Sequence, residues 1–209
     1  MGYASYTGTL STKDALRRAG WRFFMTPILW RSNGRKRPVW SDGSPAPFAL
    51  DNGAWTAHTK KTDWDSSLFK ECLNSIGSDA DFVCVPDKVG DRAVTLEMMR
   101  FWAPQIQNPC VVVQDGMTPE DLRHFRFTHL AIGGSTDWKL KSLRKWCHFG
   151  NRENVHVHVL RVNTMRRIHL AAIWGAKSFD GSGPVRFPCT LPKLERARHQ
   201  LGLFGGSDE

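Results

Sequence analysis

At 209 residues and 41% hydrophobic content, the chain can bury one substantial core and is short for two, so one domain spanning 1–209 is expected. Lys and Arg number 29 against 20 Asp and Glu, a formal charge of +9 that favours an anionic partner such as nucleic acid. No apolar run reaches the roughly 18 residues of a membrane span and no signal-peptide core opens the chain, so no membrane partner is expected and a cytoplasmic location is. The five cysteines (Cys72, Cys84, Cys110, Cys147, Cys189) show no CxxC spacing and mostly fall in apolar runs, as reduced core thiols do.

Strand-like and helix-like runs alternate along the chain. A weak strand at Tyr3 to Tyr6 precedes a helix capped near Ser11 or Thr12 and closed by Gly20, and the apolar run Trp21 to Met25 follows. Residues 27–47 are rich in Pro, Gly, Ser and Arg and read as a long basic loop in place of a helix. Phe48 to Leu50, a helix from Asp63 to Ile76, Phe82 to Val85 and a helix from Arg92 to Ala103 come next. Cys110 to Val113, a helix after Thr118, Leu130 to Ile132, a helix from Trp138 to Phe149, Val155 to Leu160 and a helix from Thr164 to Trp174 continue the rhythm. Ser178 to Phe179 is the last strand, a helix from Leu191 to Leu201 closes the set, and 203–209 read as a frayed tail. Eight short parallel strands separated by helices predict an α/β fold, a single (β/α)8 TIM-type barrel; an open doubly wound sheet is the alternative.

In such a barrel, the side chains available for chemistry lie just past the strand C-termini. Here Phe48 to Leu50 ends in Asp51-Asn52-Gly53, Phe82 to Val85 in Pro86-Asp87, and Val111 to Val113 in Gln114-Asp115-Gly116. Two later strands end in Gly133-Gly134 and in Asp180-Gly181. Any one of these is ordinary turn chemistry. Five strand ends that each carry an acid, an amide or bare backbone favour an enzymatic site.

The segments Leu50 to Trp55, Val113 to Gly116, Ala131 to Gly134 and Gly175 to Asp180 resemble successive motifs of the tRNA-guanine transglycosylases, in the family's order. The resemblance covers about Phe48 to Arg186 and is closest from Val155 to Asp180. It implies a barrel enzyme that exchanges guanine in a polynucleotide for a 7-deazaguanine such as preQ0 or a derivative, with no cofactor. Asp180 matches the family nucleophile, which captures the ribosyl carbon as a covalent ester. Asp51 matches the group that protonates the departing purine and deprotonates the incoming one. Asp87 and Gly134 match positions that read the base, Gln114 would add an amide contact, Gly133 would admit close backbone approach, and the Ser135 carbonyl would discriminate the deazapurine substituent. The chain also departs from the family. Only Cys189 and His199 stand where those enzymes cluster zinc ligands, so no zinc subdomain is expected, and Arg161 replaces a usual glycine. The reduced, DNA-modifying paralogues, many carried by phages, are the better comparison, which favours DNA over tRNA.

Trp55, just beyond Asp51, is a candidate for the substrate pocket. In the loop from Trp30 to Trp40, Arg31, Arg35, Lys36 and Arg37 are candidates for gripping phosphates, with a tryptophan stacking a base; the alternative is a solvated loop whose tryptophans fold onto the core. Arg166, Arg167 and Arg186 are further backbone candidates. Lys139, Lys141, Arg144 and Lys145 recur at helical spacing and read as a solvated face. His156 and His158 share a strand face without a third metal ligand at suitable spacing and read as satisfied barrel histidines. Trp102, Trp146 and Trp174 read as packing residues. A competing function is a barrel hydrolase on nucleic acid, either a glycosidase or a phosphodiesterase holding a metal on Asp51, Asp87 and Asp115.

Overall fold

The strands are short because each needs only to cross the barrel wall. The computed structural model describes residues 1–199. Its eight parallel strands are β1 (Gly2–Ser5), β2 (Arg22–Met25), β3 (Phe48–Leu50), β4 (Val83–Cys84), β5 (Pro109–Val113), β6 (His129–Ile132), β7 (His156–Val159) and β8 (Ser178–Gly181). They pair in sequence order, and β8 returns to β1 to close the barrel. The closed TIM-type reading therefore holds, and the open sheet does not.

Alternation along each strand divides the apolar residues between two layers. Tyr3, Phe24, Ala49, Phe82, Cys84, Cys110, Val112 and Ala131 fill the barrel interior. Their neighbours Ala4, Phe23, Met25, Leu50, Val83, Val111, Ile132, Val157 and Phe179 face the helices and join the outer core. Trp102 and Trp146 are buried there, and Trp174, half-buried, packs against the same outer core. The four cysteines Cys72, Cys84, Cys110 and Cys147 are buried free thiols, and Cys189 is exposed. No helix among the described residues is long and apolar enough to cross a membrane.

The connections differ from the sequence reading in several places. Helix α1 (Leu10–Arg18) is capped by the Thr9 side chain, earlier than Ser11 or Thr12. Residues 27–47 are not all loop: α2 (Pro27–Ser32) begins the segment, with Thr26 as N-cap and Pro27 in the first turn, where its missing N–H is no loss. Helix α3 (Ala54–Lys60) fills what read as a gap, starting at Gly53, whose φ of 82° suits glycine. Helix α4 (Ser66–Ile76), capped by Asp65, and α5 (Arg92–Trp102), capped by Asp91, follow the expected ranges closely. After Thr118 there is no α-helix, only the 3-10 turn Pro119–Leu122, where Thr118 and Asp121 cap each other reciprocally. Helix α6 (Thr136–Arg152) is longer than expected, and α7 (Met165–Ile173) is capped by Thr164. A short α8 (Gly183–Arg186), not foreseen, leads to α9 (Leu191–His199); the expected end of that helix at Leu201 and the tail 203–209 lie outside the described residues.

Candidate active site

Four strand ends bring polar groups to the C-terminal rim. Asp51 follows β3, Asp87 lies beyond β4, Gln114 follows β5, and Gly133 and Gly134 follow β6. Asp180 is a strand residue rather than the residue after one, because β8 runs through Gly181. Its position opposite Tyr3 in the ladder points the carboxylate into the barrel mouth.

Burial, then the charge of Asp180, then that of Asp87 push the Asp51 carboxyl up to about 7. Asp51 is half-buried, open towards the mouth, and accepts from the Gly53 N–H at 3.3 Å. Asp87 is buried, with both oxygens engaged: Asn52 Nδ2 donates to Oδ1 at 2.7 Å and Gln114 Nε2 donates to Oδ2 at 2.5 Å. Burial pushes Asp87 up to about 6, opposed by Asn52, Arg161 and Gln114. Asn52 also donates to the Val85 carbonyl, and Gln114 Oε1 accepts from the Gly90 N–H, so both amides have their orientation fixed. Gln114 is thus occupied in aiming Asp87. Asn52, quoted within a motif but given no role from sequence, does the same work.

Glycine is required at both positions after β6. A Cβ on Gly134, where φ is 70°, would lie 2.4 Å from Asp115 Oδ2, and one on Gly133 would lie 2.9 Å from Gln114 Nε2. Ser135 has a different task from the one sequence suggested. Its side chain caps α6 and donates to Asp115, and its carbonyl accepts the first helical bond from Lys139. The Gly134 carbonyl is engaged from another strand end, by Arg161.

Arg161 Nη2 donates to the Gly134 carbonyl at 2.5 Å. Its guanidinium lies 3.6 Å from the centre of the Trp55 ring, and its backbone N–H donates to Asp180 Oδ1 at 2.9 Å. Burial disfavours this charge and lowers its pKa from the ordinary arginine value, against the opposing attraction of Asp180, Asp87, Asp51 and Asp115. Arg161 has a φ of 59°, the left-handed region that favours glycine. Sequence reading marked this residue only as a departure; the structure puts it at the centre of the site. Trp55 is exposed, with one face already covered by this cation.

Lys139 corrects the reading of its basic run as a solvated face. It is buried, its ammonium donates to the Leu160 carbonyl, and burial followed by Arg161 pushes it down to about 8. The other residues of the run, Lys141, Arg144 and Lys145, do lie on the outer side of α6, where Arg144 stacks on Trp174.

In the basic loop, Arg35 pairs with Glu71 of α4 and Arg37 with Asp79 just after that helix, while Lys36 and Arg31 are exposed. Trp30 and Trp40 fold onto the core, as the alternative reading had it. Arg186, in contrast, is exposed directly after β8, and Arg166 is exposed after β7.

A cavity of about 780 Å³ lies away from this chemistry, between the end of α5 and the Leu122 to Thr128 loop, and includes none of Asp51, Asp87 and Asp180. Proximity of complementary charged groups identifies the functional end better than cavity size does. Among the described residues, no three His, Cys, Asp or Glu side chains form a group suited to a metal ion. No protein-family model matches the chain, and no curated protein matches it.

Proposed function

We propose that the chain is a transglycosylase that exchanges guanine in a polynucleotide for a 7-deazaguanine through a covalent ester on Asp180. The observation that carries this reading is the division of labour among three carboxylates on one rim. Asp51, placed near 7, can give and take a proton at neutral pH. Asp87, aimed by two amides, suits the N–H donors of a guanine edge. Asp180 presents a carboxylate to a ribosyl carbon that becomes oxocarbenium-like as the base departs.

In the first half-reaction, Asp51 protonates the leaving purine while Asp180 captures the sugar. In the second, Asp51 removes a proton from the incoming base, whose nitrogen displaces Asp180. DNA is the polymer proposed, with Arg166 and Arg186 meeting phosphates beside the mouth.

Labelled guanine should be incorporated into DNA, or into tRNA if that is the substrate, and Asp180→Asn should abolish incorporation without unfolding the protein. Absence of label from both polymers would sink the reading. Release of free guanine without incorporation would identify the glycosidase instead. The metal-dependent phosphodiesterase fits the residues poorly, because among the described residues Asp51, Asp87 and Asp115 do not form a group of three suited to a metal ion.

A further inference from the structure

Asp180 is the end of a hydrogen-bonded chain that descends through the barrel. His156 and His158 alternate on β7, Ser178 and Asp180 alternate on β8, and the ladder sets His158 opposite Ser178. His156 Nε2 lies 2.6 Å from Ser178 Oγ, which lies 2.7 Å from His158 Nδ1. His158 Nε2 in turn lies 3.2 Å from Asp180 Oδ1. His158 and Ser178 are 0% and 1% exposed, so these polar atoms depend on one another rather than on bulk water.

Proton counting leaves few arrangements. A serine hydroxyl carries one proton and a neutral imidazole carries one N–H. Burial, then His129, then His158 push His156 down to about 3, so it is neutral near pH 7. A carboxylate that is to attack must be ionised and can only accept. With a neutral His158, its Nε2–H then donates to Asp180, its bare Nδ1 accepts from Ser178, and Ser178 accepts from His156 Nε2–H. Every donor points towards the nucleophile. The reversed chain places a proton on Asp180 and forfeits its attraction to the Arg161 cation.

The same bonds distinguish the two oxygens of Asp180. Both the His158 imidazole and the Arg161 N–H engage Oδ1, and among the described residues no hydrogen bond reaches Oδ2. We propose that His158 is a positioning residue, held as the Nε2–H tautomer by Ser178, that presents Oδ2 of Asp180 for attack and stabilises Asp180 as the leaving carboxylate. The catalytic part of this proposal rests on the transglycosylase reading; the tautomer part does not.

The Oδ2–C1′ bond forms as the C1′–N bond to guanine breaks, the electron pair leaves with the purine, and the purine takes the Asp51 proton. His158 keeps its proton while its partner changes from a carboxylate oxygen to an ester carbonyl. In the return step, the incoming base gives its proton to Asp51 and its nitrogen pair to C1′, and Asp180 departs with the electrons of the C1′–O bond. A donor on Oδ1 stabilises the carboxylate more than the ester. Its loss therefore slows resolution of the intermediate more than its formation.

The test has two arms on the full chain. In the first, ¹⁵N NMR of the imidazole nitrogens at pH 7 should find His158 protonated at Nε2 alone, with Ser178→Ala releasing it to a tautomer mixture; protonation at Nδ1 alone would overturn the proposal. In the second, His158→Phe should lower kcat by about 10- to 100-fold with KM little changed and should accumulate the Asp180 adduct, while His158→Gln, which restores a donor at the Nε2 position, recovers much of the rate. Unchanged kcat in His158→Phe, or equal loss in His158→Gln, would overturn the positioning role. If the unaltered protein incorporates no guanine, the transglycosylase reading fails by itself and the NMR arm alone decides the tautomer. Should His158→Phe not fold, Ser178→Ala replaces it in the rate measurement, with a smaller loss expected and no loss overturning the proposal.

Discussion

Asp51 carries the clearest cost of assembling carboxylates in one bowl. Its folded pKa of about 7 lies above the ordinary value of 3.8, so the folded chain binds a proton that the unfolded chain releases between those values. The contribution of Asp51 to stability therefore falls as pH rises from about 4 to about 7, and Asp51→Asn should be the more stable protein above that range. Because Asp51 partly faces solvent, the gain is on the order of 1 kcal/mol rather than the full value of the shift. Urea unfolding at pH 5 and pH 8 checks this, and a gain no larger at pH 8 than at pH 5 contradicts it. Trp55 offers a second test at this scale. Base stacking on an aromatic ring contributes about 1–3 kcal/mol, so Trp55→Ala should raise the KM for guanine roughly 5- to 150-fold with a smaller effect on kcat. Arg161 already rests on that ring, which means a base entering from this side exchanges one stacked, hydrogen-bonding plane for another.

At the scale of elements, the strands were more legible than their connections. A barrel strand is buried on both faces, so apolar runs such as Val111 to Val113 stand out, whereas β7 and β8, which turn His156, His158, Ser178 and Asp180 inward, are marked less plainly. The connections carry weaker marks. Thr26-Pro27 is an N-cap followed by a first-turn proline, a start signal obscured by the Gly, Pro and Arg after it. Thr118-Pro119 has the same form, and Asp121 returns to cap Thr118, yet only one 3-10 turn follows. Ser135 shows how a cap can be mistaken for a reader of substrate. Ser135→Ala should destabilise the protein by about 1 kcal/mol through loss of the α6 cap and leave the preference among deazaguanine substituents unchanged. Denaturation and competition between substituted bases measure the two effects, and an altered preference would restore Ser135 to the recognition surface.

For the whole molecule, the excess of 9 positive charges matters through where the charges lie. Polymer affinity should fall linearly with the logarithm of salt, and Arg186→Ala should reduce the magnitude of that slope by about 1. Alanine at Arg35 and Arg37 should change neither affinity nor slope, since both are paired on the flank of α4. Filter binding across a salt series distinguishes them, and a slope that responds to the flank pair but not to Arg186 would move the nucleic-acid surface. The sequence by itself determined an α/β fold of alternating short strands and helices, because periodic burial is written into the order of apolar and polar residues, while closure into a barrel rather than an open sheet was decided by the pairing of β8 with β1. It also marked Asp51, Asp87 and Asp180 as rim residues, because strand ends are local features. Only the tertiary structure decided what each of them touches. The pairing of Asn52 and Gln114 with Asp87, the placement of Arg161 over Trp55 and the chain from His156 to Asp180 all join residues distant in sequence. Such contacts depend on barrel closure and register, which bring side chains of separate strands within hydrogen-bonding distance and leave no trace in any one segment.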